Sequence, residues 1–196
     1  MIHDSIAHLK PGKSAGVGLS SDHIINASIP LEQFLAPIFT ACFRCGHVPV
    51  AFRDAIVQPI LKGADKDPAL SSNYRGIALA SPFSQLMEWC IILMYEEYLI
   101  SSNLQFGFKK GLSTSMCTGL LKIVAGEYIS RGSKVHCCLI DASKAFDTVD
   151  HTLLFEKLMK KNMPTSIIRF LINWYSTQQL TVRWNGAVSM PFGTLN

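Results

Sequence analysis

No two aspartates stand side by side anywhere in these 196 residues. Chemistry that needs two divalent cations about 4 Å apart therefore has to gather its carboxylates singly. No secretory leader is expected either, because Met1–Lys10 has no basic start followed by an apolar core. The apolar run Trp89–Tyr95 is too short to span a bilayer, and Glu88, Glu96 and Glu97 bound it. Of the six cysteines, Cys42-x-x-Cys45 with nearby His47 has a zinc-like spacing, but no second pair stands at a suitable distance. Both thiols are expected to pack as small apolar groups. Gly12-Lys13-Ser14 fails as a phosphate loop, since the earlier glycine it requires falls on Ala7 and no strand precedes it. Together these absences exclude a membrane-spanning chain, a disulfide scaffold and a phosphate-loop nucleotidase, and they point to a reduced, intracellular protein of cytoplasm or nucleus.

What is present suffices for a packed core: 48% of the residues are hydrophobic. Eighteen basic against fourteen acidic residues give +4, which permits an anionic partner without requiring one. Ser21–Ser28 predicts a short helix. A longer one is predicted after Pro30, where Leu31, Phe34, Leu35, Ile38, Phe39 and Cys42 recur at helical spacing until Gly46. Ala55–Lys62 and Tyr74–Leu79 are strand-like and flank a polar loop. Pro82–Ser102 has the pattern of one long helix. Ser113 is placed to cap another through about Arg131, closed by Gly132. Asp150 is placed to cap a third, a fourth follows Pro164, and Asn185-Gly186 is the preferred dipeptide of a tight hairpin.

Three groups of residues carry candidate chemistry. Val135–Ile140 is a short apolar run that ends at Asp141, so a buried strand with a carboxylate at its C-terminal tip is expected, although Asp also simply starts turns. Lys62 and Arg75, one on each strand of the early pair, are able to neutralise a triphosphate, or else are solvated surface cations. Gln105–Thr114 interleaves Phe106 and Phe108 with Gly107 and Gly111 and with Lys109 and Lys110. Rings that stack, lysines that meet phosphates and glycines that let the backbone approach suit a nucleic-acid contact loop; a basic loop anchored by two phenylalanines has the same composition.

The stretch LIDASKAFDTVDH (Leu139–His151) resembles the first palm motif of reverse transcriptases of LINE-like (non-LTR) retrotransposons. PILKGADKDPALSSNYRGIAL resembles their fingers motifs, and QFGFKKGLST a further motif near template and primer. The resemblance covers nearly the whole chain, with the motifs in the expected order. It implies an α/β (α+β) fold, a partial right-hand polymerase: residues 1–48 a helical extension of the fingers, 49–132 fingers and fingers–palm junction, and 133–196 an incomplete palm sheet holding the Asp141 strand. It further implies RNA-directed DNA synthesis from dNTPs on an RNA template and DNA primer, with Mg²⁺ or Mn²⁺.

In that scheme Asp141 and the backbone of Ala142 hold metal, and Lys62 and Arg75 hold triphosphate. Ala145 and Phe146 lie under the nucleotide sugar, Phe146 as the steric gate, and Gln105, Phe106, Gly107, Phe108, Lys109 and Lys110 approach template and primer. Some positions depart from the pattern. Gly16-Val17-Gly18 lacks an acidic residue usual in the Gly-rich segment, Gln85 is often lysine, and Gly76 is often proline, a change expected to loosen a turn. Relatives also supply paired aspartates from a later strand. The chain is therefore expected to be the N-terminal half of a polymerase core, inactive by itself, with a Gly-rich motif due beyond Asn196. The alternative is a non-catalytic nucleic-acid-binding remnant of such an element.

Overall fold

A computed structural model describes residues 1–12 and 19–193. The Gly-rich stretch Gly16–Gly18 lies outside the described residues. Two compact units divide the chain: one comprises 1–98 with 149–196, the other 99–148.

The first unit opens with helices α1 (Ile2–Ala7), α2 (Ser21–Asn26), α3 (Ser28–Cys45) and α4 (Val50–Arg53). Helix α3 ends as its glycine predicts, with Gly46 in the left-handed region at φ +65°. Strands β1 (Ala55–Leu61) and β2 (Tyr74–Ala80) then pair antiparallel, from Ala55↔Ala80 to Leu61↔Tyr74. After residue 148 come α7 (His151–Lys160), α8 (Thr165–Thr177), β3 (Gln179–Trp184), β4 (Ala187–Val188) and β5 (Phe192–Gly193). The sheet is mixed, in the order β2-β1-β3-β4 with β5 also on β3, and β3 runs parallel to β1. Asn185 and Gly186 turn β3 into β4 with φ +45° and +82°, the two positive values that a type I′ turn requires. Asp150 caps α7 as expected, accepting from Leu153 N–H at 3.1 Å.

Helices α1, α3, α5 (Pro82–Met94), α7 and α8 surround one apolar core. Its centre is aromatic: Phe43 meets Phe170 edge to face at 5.0 Å, and Phe170 meets Trp174 at 5.5 Å. Polar stitches tie this core to the sheet. The Asp54 carboxylate accepts from Arg53 Nε at 2.8 Å and from Gln179 N–H at 3.2 Å, and Gln178 donates to the Arg53 carbonyl at 3.0 Å. These bonds set the first residues of β3 beside the start of β1. Helix α5 begins where Ser81 caps it, accepting from Ser84 N–H at 3.1 Å. It stops at Met94 rather than at Ser102, and a 3-10 turn covers Glu96–Leu99. Two adjacent carboxylates at a helix C-terminus oppose its dipole, which accounts for the early end.

The second unit holds α6 (Thr114–Ser130), capped as expected by Ser113, which accepts from Met116 N–H at 3.3 Å. None of residues 99–148 is buried. The strand expected over Val135–Ile140 is not formed: residues 133–142 have no regular secondary structure, and Leu139 and Ile140 are 88% and 94% exposed. Apolar, β-favouring residues supply propensity, but a strand persists only when a neighbour takes its backbone hydrogen bonds, and no described segment does so. The expectation of a palm sheet carrying Asp141 is corrected accordingly; among the described residues the sheet consists of β1 to β5.

Among the described residues no helix is long and apolar enough to cross a membrane. All six cysteines are free: Cys42 and Cys90 are buried, and burial pushes both thiols above their usual range. Cys45, Cys117, Cys137 and Cys138 are exposed. A thiol-reactive chromophore added to native protein should therefore label those four quickly and reach Cys42 and Cys90 only on unfolding. Mass mapping of the labelled positions checks this, and rapid labelling of Cys90 would refute the packing of α5.

Candidate nucleotide and nucleic-acid site

In the first unit the candidate cations lie on the β1–β2 hairpin. Paired residues of an antiparallel ladder share a face, and faces alternate along each strand. Ile60 pairs with Arg75, and Lys62 N–H donates to the Asn73 carbonyl at 2.9 Å, which carries the same register two residues further. Lys62 and Arg75 therefore occupy diagonal positions on one face, where residues are ~7–8 Å apart and their Cβ atoms somewhat closer. A triphosphate is long enough to meet both.

The connecting loop is built to hold this end of the hairpin. Asp67 accepts from Ala69 N–H at 2.9 Å, Asn73 Nδ2 donates to the Asp67 carbonyl at 2.9 Å, and Tyr74 Oη donates to the Pro68 carbonyl at 3.0 Å. Lys62 Nζ itself donates to the Ser72 carbonyl at 2.7 Å, so one of its three donors is already engaged. The exposed Arg75 guanidinium has no partner among the described residues. Nothing in the sequence announced Ser72, Asn73 or Asp67 as positioning groups, beyond the turn chemistry common to Asp, Asn and Ser.

Gly76 corrects a second expectation. It sits opposite Pro59 in the middle of β2, not in a turn. A Cβ built there would come 2.9 Å from Val57 Cγ1, so glycine leaves room for the valine on the face opposite Arg75.

In the second unit the loop after Ser102 is a chain of short turns. Gln105 N–H donates to the Ser102 carbonyl at 3.0 Å and its amide Nε2 to the Gly107 carbonyl at 3.1 Å. Lys109 Nζ donates to the Ser102 carbonyl at 2.6 Å and is half-buried, whereas Lys110 is exposed. Phe106 is half-buried and Phe108 is 92% exposed. Asp141 and Ala142 are exposed and precede a turn over residues 143–148, in which Asp147 N–H and Thr148 N–H both donate to the Lys144 carbonyl at 2.9 and 3.2 Å. Ala145 and Phe146 lie within that turn. The Phe146 ring meets Phe108 edge to face at 5.9 Å, so one candidate from each of two separate motifs is brought together. Asp141 gains no such company: among the described residues no group of three or more His, Cys, Asp or Glu side chains is arranged to hold a metal.

The family model "Reverse transcriptase (RNA-dependent DNA polymerase)" matches residues 62–196, a span that opens on Lys62 and contains every candidate residue above. The chain belongs to the reverse transcriptase family. It is also similar to a 115 kDa protein of a type-1 retrotransposable element in Drosophila melanogaster, with 31% identity over 157 residues. That alignment takes in 78% of this chain and 15% of the fly protein, so the chain spans about one-seventh of its relative's length. The match agrees with the LINE-like character implied by Leu139–His151. Reverse transcriptases use divalent metal ions. Among the described residues Asp141 offers one exposed carboxylate, and two cations need carboxylates from more than one segment, so these residues by themselves do not make up a two-ion site.

Proposed function

We propose that this chain forms the fingers and the first part of the palm of an RNA-directed DNA polymerase of a non-LTR retrotransposon, acting inside the cell. Residues 1–48 extend the fingers, 49–132 make up the fingers and their junction with the palm, and 133–196 begin the palm. Its ligands are a dNTP and an RNA template with a DNA primer. The observation that carries this reading is the shared face of Lys62 and Arg75, two cations at diagonal positions of one hairpin inside the family-matched span. They bind the triphosphate by charge-assisted hydrogen bonds, which position the phosphates and neutralise their charge. Ala145 and Phe146 lie under the sugar, with the Phe146 ring excluding a ribose hydroxyl. Gln105 to Lys110 contact template and primer, and Asp141 with the Ala142 carbonyl contributes to metal binding in the assembled palm.

The single carboxylate of Asp141 favours a second reading, a nucleic-acid binder without catalysis, and one pair of assays bears on both. The 196-residue chain should bind an RNA–DNA primer-template at low salt and weaken as salt rises, because each phosphate contact releases counterions. Lys110→Ala should reduce the salt slope by ~0.7–0.9. Lys109→Ala should change it less, since that ammonium serves the loop. Binding that does not respond to salt sinks both readings. In primer extension with added Mg²⁺ the chain alone should make no product; extension that disappears in Asp141→Ala would remove the binder and leave the polymerase.

A further inference from the structure

Phe146 has one ring contact among the described residues, and it is Phe108: centroids 5.9 Å apart, planes at 90°. Both rings are otherwise in solvent, 76% and 92% exposed, so no packed wall sets the direction of Phe146. Each ring is presented by constrained backbone. Phe108 lies at φ +59° between Gly107 and Lys109, in the left-handed region that bulky residues seldom occupy. Lys144, two residues before Phe146, lies at φ +50° and closes the turn through its carbonyl, which accepts from both Asp147 and Thr148. Two strained turns from distant parts of the sequence thus deliver two rings to one edge-to-face contact, the geometry that aromatic quadrupoles favour.

We propose that Phe108 is a positioning residue for Phe146, holding that ring edge-on and so setting how sharply the site distinguishes deoxyribose from ribose. The inference rests on the reading of Phe146 as the sugar gate. An aromatic pair of this kind is worth a ~2- to 10-fold preference, which is the size of effect expected on discrimination. A residue that merely supported the loop would change affinity for both sugars together. Phe108 instead acts on their ratio.

The test is displacement of a fluorescent dGTP analogue from the 196-residue chain by dGTP or by GTP. The parent should prefer dGTP. Phe108→Ala should lower the dGTP-to-GTP preference by ~2- to 10-fold, and Phe108→Tyr, which keeps the ring edge, should restore it. Because Phe108 is almost wholly exposed, neither change threatens folding. If Phe146→Ala abolishes the preference while Phe108→Ala leaves it intact, the positioning role is overturned and the gate stands. If Phe146→Ala leaves the preference unchanged, or the parent shows none, the gate reading fails and the positioning role with it.

Discussion

Phe170→Ala is expected to destabilise the first unit by ~3–5 kcal/mol, the cost of deleting a fully buried aromatic ring and leaving its cavity. The ring is 0% exposed and stands between Phe43 and Trp174, so α3 and α8 cannot close the gap without moving against each other. A domain stable by ~5–15 kcal/mol would lose a large share of its margin. The measurement is urea unfolding followed by tryptophan emission, which reports on this unit alone because Trp89, Trp174 and Trp184 all belong to it. Phe34, on the outer side of α3 and 71% exposed, supplies the control: Phe34→Ala should shift stability by no more than ~0.5 kcal/mol. A loss below ~1 kcal/mol for Phe170→Ala would contradict the packing of α3 on α8.

Arg75→Ala should cost the largest part of nucleotide affinity. A charge-assisted hydrogen bond contributes ~1.5–3 kcal/mol, so on the proposed role of Arg75 as a triphosphate contact its removal is expected to weaken dNTP binding about 10- to 100-fold. Lys62→Ala should weaken it less, because its ammonium already donates to the Ser72 carbonyl and its flexible stem presents a point charge rather than a fork. Lys62→Ala should also loosen the hairpin end, seen as faster amide exchange at Asn73. Titration of a labelled dNTP into each variant checks the order. Equal losses, or a larger loss at Lys62, would refute the assignment of the free cation to Arg75.

Much of the scaffold was legible because its signals are local. Gly46 ends α3, Ser113 and Asp150 cap their helices, and Asn185-Gly186 turns β3 into β4, each through chemistry completed within about four residues. The strands on either side of the 62–73 loop were legible for the same reason. Two expectations failed where the deciding atoms lie far off in sequence. Val135–Ile140 has the composition of a strand but no ladder partner among the described residues, and Gly76, read within a strand yet expected to loosen a turn, faces Pro59 inside β2. The end of α5 at Met94 was missed on local grounds, since Glu96 and Glu97 were weighed as interruptions of an apolar run rather than as charges at a helix terminus.

The candidate site divides along the same line. Motif order alone marked Lys62, Arg75, Gln105 to Lys110, Asp141 and Phe146, and so determined the family to which this chain belongs. Their arrangement was decided only by tertiary structure. The register of β1 on β2 puts Lys62 and Arg75 on one face, and a slip of one residue would have parted them. Two turns that lie 38 residues apart bring Phe108 to Phe146. Residue type reports what a side chain is able to do, while the backbone hydrogen bonds of other segments decide what stands next to it.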